Sequence, residues 1–118
     1  IVYGRVNDAD FIGLPGNPGS AFVVARQVLL PIIRRFLGEK MRLAGSVRAV
    51  LSSNIASTSG REDTIPVRLF ERGGRLMAEP VFGKSNLIYT LVNADGLVSV
   101  PLDVTGLKAG TEVEVSVF

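Results

Sequence analysis

One stretch constrains the fold of this chain more than any other: Gly13-Leu14-Pro15-Gly16-Asn17-Pro18, which separates an apolar run from a long helical pattern. Asn17 is a favoured helix N-cap residue, and Pro18 then falls at the first helical position, where no backbone N–H is needed. Gly13 and Gly16 lack a Cβ atom, so the backbone can turn sharply there and approach a ligand closely. The stretch therefore predicts a strand, a tight loop and a helix start.

Two interpretations of this loop are open. The positive end of the helix dipole and the free backbone N–H groups of the first turn together favour an anion-binding site. The same residues are also sufficient as a turn and a cap that join a strand to a helix.

A helix is predicted from Pro18 to about Leu37, with Gly38 in the left-handed position that commonly ends a helix. Apolar residues occupy most of its circumference, which predicts a helix covered on several sides. One cover is expected to be its own sheet, and the other a missing part of the chain or a second subunit. Pro31 lacks an N–H and removes the hydrogen bond to the carbonyl of Gln27, which predicts a kink between these two residues.

Residues 1–6 and 10–14 predict two strands of one sheet, joined by the polar turn Asn7-Asp8-Ala9. Asp8 and Asp10 can be interpreted as a carboxylate pair for a metal, but Asn and Asp are typical turn residues, and the turn is the preferred interpretation. The chain begins without Met and in the middle of a predicted strand. We therefore expect a fragment whose N-terminal part, and much of any active site, is missing.

Near residue 40 the pattern changes to short alternating strands with regularly spaced turns. This pattern indicates an all-β module, either a small barrel or a rolled sheet. The first strand region is predicted at 47–55, and the strongest turn signal of the chain, Gly73-Gly74, predicts a hairpin. Pro66 and Pro80 cannot donate to a ladder, so they are predicted at strand ends or edges.

A short helix is predicted at 86–93 with Ser85 as its cap, and the last strand alternates Val113, Val115 and Val117 with polar residues. This alternation predicts one core face and one solvent face.

Composition excludes several classes of function. The chain has 118 residues with neither Cys nor His, which excludes disulfides and thiolate nucleophiles and argues against zinc. A net charge of +2, with scattered basic residues, argues against nucleic acid, and no apolar run is long enough to cross a membrane. We expect a soluble protein, with the cytoplasm as the default location; no targeting segment is visible, and a missing N-terminal part could contain one.

The loop at 13–18, followed by Ser20-Ala21, resembles the signature of the molybdopterin molybdenumtransferases, a family that includes the E domain of gephyrin. The downstream segments that are similar, in order, are Gly60-Arg61-Glu62-Asp63, the hairpin, Ser85 before a short helix, Asn93-Ala94-Asp95-Gly96-Leu97 with Pro101 after it, and Leu107-Lys108-Ala109-Gly110-Thr111-Glu112-Val113.

The resemblance implies an α/β fragment followed by a small all-β, barrel-like C-terminal domain. Residues 1–40 would be the C-terminal end of the molybdopterin-binding α/β domain, and residues 41–118 the C-terminal β-domain. The implied reaction inserts molybdate into adenylylated molybdopterin and releases AMP, with Mg²⁺ as cofactor and a homodimer as the assembly. Magnesium ligands and catalytic residues would lie upstream of residue 1, so this chain alone is expected to be inactive. The alternative is a non-catalytic binding or scaffold module of the gephyrin type.

The resemblance also implies substrate-binding residues, which are Gly13, Pro15, Gly16, Asn17, Pro18, Ser20, Arg61 and Ser85. The chain departs from the family pattern at Gly19, where relatives usually carry a larger apolar residue. It departs again at Thr64 and Pro66, where many carry an aromatic residue and an arginine. Either Arg61 or Arg68 is left to supply the missing arginine.

Overall fold

The computed structural model describes residues 1–40, 45–83 and 88–118. They form two compact units, of which the first contains residues 1–40 and the second contains residues 45–83 and 89–118.

The first unit begins with an antiparallel hairpin of β1 (Val2–Val6) and β2 (Ala9–Gly13). The connecting turn is Asn7-Asp8, with φ values of 47° and 64°. Two consecutive residues with positive φ are characteristic of the turn that matches the twist of a two-residue hairpin, and Asn and Asp tolerate this backbone better than most residues. The predicted strand pair and polar turn are therefore confirmed, except that Ala9 already pairs with Val6 as part of β2.

A helical segment follows, in three parts: α1 (Pro18–Val24), a π-helical turn (Ala25–Leu29) and α2 (Leu30–Phe36). The N–H of Leu30 donates to the carbonyl of Ala25, five residues back, directly before Pro31. An interior proline has no N–H and its ring collides with the carbonyl four residues earlier, and a wider turn before it relieves the collision. The π-helical turn lies where the kink is predicted, between Gln27 and Pro31.

The helix ends as predicted at Gly38, which has φ of 72°. Its N–H donates to the carbonyl of Arg35 over 3.1 Å, and the N–H of Glu39 donates to the carbonyl of Arg34 over 3.0 Å. These two bonds form a Schellman motif, which satisfies carbonyls that the helix end would leave free.

The first unit does not bury its own apolar helix. No residue between 1 and 40 is buried, and the side chains of Phe36 and Leu37 are 77% and 70% exposed. Val23, Val24, Leu29 and Ile32 are half-buried, so the helix is partly covered, and its packing on its own sheet stays a prediction.

The second unit contains seven strands and a short helix among its described residues. They are β3 (Ser46–Leu51), β4 (Ile55–Ala56), β5 (Asp63–Arg72), β6 (Arg75–Pro80), α3 (Tyr89–Val92), β7 (Gly96–Val100), β8 (Gly106–Leu107) and β9 (Glu112–Val117). Five strands close a barrel in the order β3, β6, β5, β7 and β9, while β4 and β8 pair with each other. The predicted all-β barrel is confirmed.

The barrel interior is filled by alternate strand residues. Val113 and Val115 of β9 are buried and Glu112 and Glu114 are exposed, as the alternation predicts. Val117 is only half-buried because it lies at the end of the strand. The largest fully buried side chains are Leu51, Ile55, Val67, Val98, Val100 and Val115.

The hairpin predicted across Gly73-Gly74 is confirmed, with φ values of 59° and 73° at these glycines. The strand predicted at 47–55 is interrupted, since β3 ends at Leu51 and Ile55 opens β4. The N–H of Ser52 donates to the carbonyl of Ala78, and the chain then leaves the barrel to reach β8.

Pro80 ends β6 as predicted, but Pro66 lies inside β5. It is tolerated there because the β6 ladder begins only at Val67, and the carbonyl of Pro66 accepts the N–H of Val81, one residue beyond β6. The helix predicted at 86–93 is observed as α3. Residues 86 and 87 of the prediction, and its expected cap Ser85, lie outside the described residues. No helix in the described ranges is long and apolar enough to cross a membrane.

Candidate functional site

Six of the predicted binding residues lie between the end of β2 and the first turn of α1, three of them (Pro15, Gly16 and Asn17) in the connecting loop, and Asn17 caps the helix. Asn17 has an extended backbone, and its side-chain oxygen accepts the N–H groups of Gly19 at 3.1 Å and Ser20 at 3.4 Å. The carbonyl of Asn17 accepts the N–H of Ala21 at 2.8 Å. The predicted N-cap, with Pro18 at the start of the helix, is confirmed.

This cap changes how the loop can hold an anion. The first helical turn contains four backbone nitrogens. That of Pro18 carries no hydrogen, and the N–H groups of the next three residues all donate to Asn17. The expected set of free N–H groups at the helix start is therefore engaged. A ligand oxygen must displace the Asn17 side chain or bind the preceding loop, where Leu14 and Gly16 carry backbone N–H groups and Pro15 does not.

Gly13 and Gly16 are not required by the backbone. Neither has a positive φ, so the expected need for glycine in a sharp turn is not met. A Cβ atom at Gly16 would have no neighbour within 4 Å, and one at Gly13 would lie 3.6 Å from Cβ of Val2, an ordinary contact. Open space beside Gly16 is compatible with a group from outside that approaches the backbone there.

Arg61 lies in the second unit, immediately before β5, and Asp63 orients it. Its Nε lies 3.0 Å from Oδ1 of Asp63, and its Nη2 donates to Oδ2 over 3.4 Å. The Ser57 hydroxyl donates to the same carboxylate over 2.6 Å. The Ser57 hydrogen bond, followed by the charge and hydrogen bond of Arg61, lowers the pKa of Asp63 against the opposing effect of desolvation. Arg61 remains 68% exposed, so its other N–H donors can reach an anion.

Arg68, the other candidate arginine, has a different setting. It lies on β5 opposite Glu79 of β6, and its Nη2 donates to Oε2 of Glu79 over 2.6 Å. Both arginines thus carry a carboxylate partner from their own unit, and Arg61 has the larger exposed fraction, 68% against 60%.

Sequence reasoning missed the roles of Ser57 and Asp63. The spacing of Ser57 and Asp63 follows no helical or strand period, so their contact depends on how the loop between them closes. The only signal was a carboxylate two residues after Arg61.

The acidic residues of the first hairpin contact Arg5 and Tyr3. Asp8 and Asp10 lie 3.8 Å and 3.9 Å from Arg5, and the Tyr3 hydroxyl donates to Asp10 over 2.8 Å, which raises the pKa of Tyr3. Across residues 1–40, 45–83 and 88–118, no group of three Asp, Glu, His or Cys residues is placed to hold a metal ion.

Solved structures share this fold. The chain matches a molybdopterin biosynthesis MoeA protein from Pyrococcus horikoshii with a TM-score of 0.80 and 30% identity, over 98% of this chain and 28% of that one. It matches a molybdenum cofactor biosynthesis protein from Pyrococcus furiosus with a TM-score of 0.73 and 30% identity, over 87% and 36% of the two chains.

Curated relatives are similar in sequence. Molybdopterin molybdenumtransferase 2 of Mycobacterium tuberculosis is 30% identical over 95% of this chain. The molybdenum cofactor synthesis protein cinnamon of Drosophila melanogaster is 35% identical over 80%. The chain spans 27% of the first relative's length and 16% of the second's.

The barrel unit identifies the family. Residues 48–118 match the family described as MoeA C-terminal region (domain IV), which is more than half of the chain. The chain therefore belongs to this family, and the resemblance seen in the sequence is confirmed.

Proposed function

We propose that this chain is part of a molybdenum cofactor biosynthesis enzyme that inserts molybdate into adenylylated molybdopterin and releases AMP. The observation that carries the proposal is the match to domain IV of MoeA together with curated relatives named molybdopterin molybdenumtransferase. In this proposal residues 1–40 end the molybdopterin-binding α/β domain, residues 41–118 form the C-terminal β-domain, and the complete protein is a homodimer.

The chain's own contribution is to bind the anionic substrate. The loop before α1 offers the backbone N–H groups of Leu14 and Gly16, with open space beside Gly16. Arg61 offers an exposed guanidinium whose orientation is fixed by Asp63. Neither group can serve as an acid or base near neutral pH, so these residues bind and orient the substrate while the chemistry depends on groups outside this chain.

The first experiment compares the complete protein with the 118-residue chain in an assay of AMP release from adenylylated molybdopterin and molybdate. We expect turnover by the complete protein and none by the chain alone. Turnover by the chain alone would contradict the proposed separation of binding from chemistry, and its absence from both would support the scaffold alternative.

The second experiment tests the loop in the complete protein through molybdopterin affinity. We expect Gly16→Val to weaken binding about tenfold or more, because its side chain fills the space that the ligand approaches. The fold should be unaffected, since that Cβ meets nothing. Asn17→Ala, the matched control, removes the cap and costs about 1 kcal/mol of helix stability. It should weaken binding less than Gly16→Val does, because the cap is lost while the loop keeps its shape. Unchanged affinity in Gly16→Val would leave the loop as a turn and a cap.

A further inference from the structure

The barrel has a seam where two neighbouring strands separate. β3 and β6 run parallel and pair only through Val50 with Met77 and Leu51 with Ala78. On its other side β3 pairs with β9 along its length from Ser46 to Val50. The β3–β6 seam is defined here as the unpaired stretch next to these pairs, with Ser46–Ala49 on β3 and Arg75 and Leu76 on β6.

Backbone hydrogen-bonding groups of β3 point into the β3–β6 seam. The N–H of Leu51 donates to Thr111, and the carbonyl of Gly45 accepts from Val117, so odd-numbered residues face β9. Successive residues of a strand direct their backbone groups to opposite sides, so those of Ser46 and Arg48 face the seam. Among the described residues the β6 register does not reach them, so this short stretch of the closed barrel offers unpaired backbone groups to another strand.

A groove of about 360 Å³ lies at the seam, lined by Arg48, Ala49, Val50, Arg75, Leu76 and Glu112. Ala49 is buried and Leu76 packs against the core, so the inner surface is apolar. Arg48 and Arg75 are exposed on the two sides, so the rim is largely basic.

The charges at this rim are incompletely balanced by the chain. Arg75 lies opposite Arg72 across the β5–β6 turn, and like charges in this position destabilise a hairpin. Within the described ranges neither arginine has a carboxylate oxygen within 4.0 Å; Arg72 lies over the ring of Phe70 at 5.2 Å. Arg48 pairs with Glu112 at 3.6 Å, but both side chains are well exposed, and such pairs contribute little.

We propose that the β3–β6 seam binds an extended acidic segment of a partner protein as an added strand. The segment pairs with the backbone of Ser46 and Arg48, and residues that alternate along it point inward and outward. Inward apolar side chains cover the half-buried Leu76, since Ala49 is already buried by the barrel, and outward carboxylates meet Arg48 and Arg75. The proposal concerns a protein interface and does not depend on the substrate site.

The probe is a hexapeptide that alternates Glu and Val, with blocked ends, titrated into the 118-residue chain by calorimetry. We expect saturable binding that Arg75→Gln weakens about tenfold or more. Lys108→Gln is the matched control, because it removes one exposed positive charge of the same unit outside the groove. Equal effects of the two variants, binding of a Gln-Val peptide with unchanged affinity, or no binding at all would overturn the proposal.

A second measurement separates strand addition from simple charge attraction. Binding should slow amide hydrogen exchange at Ser46 and Arg48, and a peptide N-methylated at alternate residues should bind about tenfold more weakly or worse. An N-methylated peptide that binds equally well, with unchanged exchange at β3, would show a charged patch without strand pairing and would overturn the proposal.

Discussion

At the residue scale, Asp63 makes the stability of the folded protein depend on pH. Its pKa lies below the ordinary value of 3.8 because the Ser57 hydroxyl and Arg61 favour the charged form. A carboxyl whose pKa is lowered in the folded state contributes stability above its unfolded pKa, and this contribution is lost as the pH falls through the folded pKa. We expect the stability advantage of the wild type over Asp63→Asn to be constant above about pH 5 and to shrink below 3.8.

Urea denaturation of both proteins between neutral pH and pH 2 measures this difference. Glu62→Gln, an exposed neighbour, is the control for the loss of one negative charge from this loop. A difference between wild type and Asp63→Asn that is independent of pH would contradict the assigned role of Asp63.

Gly106 and Gly110 both have positive φ, but only Gly106 has close neighbours, so the two positions separate backbone strain from steric collision. Gly106 has φ of 148°, and a Cβ there would collide with the carbonyl oxygen of Ile55. Gly110 has φ of 85° but open space around it. We expect Gly106→Ala to cost about 1–3 kcal/mol of unfolding free energy and Gly110→Ala about 1 kcal/mol, both measured by urea denaturation. Equal losses would show that the close approach of β8 to β4 is unimportant.

Residues with a strong local preference were predictable from the sequence. Asn17, Gly38 and Gly73-Gly74 adopt the cap and turn conformations expected, because each preference is set by the residue's own backbone and side chain. The sequence suggested that the backbone needs glycine at Gly16, and the structure shows no such need. This was not predictable, because the need for glycine depends on φ and on neighbours that approach from elsewhere.

At the scale of elements, Pro31 accounts for the π-helical turn. Pro31→Ala restores an N–H and removes the ring, so an uninterrupted α-helix becomes possible. We expect the helix to be stabilised by up to about 3 kcal/mol, seen as slower amide exchange at Leu30 and Ile32 and a higher helical signal in circular dichroism. Pro15→Ala, outside the helix, should leave both readouts unchanged. Faster exchange in Pro31→Ala would mean that the wider turn is stabilised by other contacts.

Pairings between distant strands were beyond sequence reasoning. The alternation in β9 and the glycine turn in β5–β6 are local signals, and both were predicted correctly. The parallel contact of β3 with β6 and the position of Pro66 inside β5 depend on where separate ladders start and stop. No local pattern encodes that register.

At the scale of the whole molecule, the exposed apolar helix predicts association. Phe36 and Leu37 lie at its end with most of their surface exposed, and no residue of the first unit is buried. Large apolar patches mark contact surfaces. We expect the 118-residue chain to self-associate at about 10 µM in sedimentation, and Phe36→Glu with Leu37→Glu to raise the dissociation constant more than about tenfold.

Val92→Glu is the matched control, because Val92 is 72% exposed but belongs to the second unit. A monomeric wild type at this concentration, or an equal effect of the control, would contradict the role assigned to the helix.

The arginines of the β3–β6 seam also affect whether two copies of the chain can pair through β3. Two copies joined edge to edge through β3 in an antiparallel, twofold arrangement would bring Arg48 of one copy near Arg48 of the other. Positive charges on an open strand edge are a known protection against such pairing. The β3–β6 seam therefore disfavours pairing with a second copy of the chain, because the arginines of two identical barrels would repel each other where the acidic segment is proposed to pair.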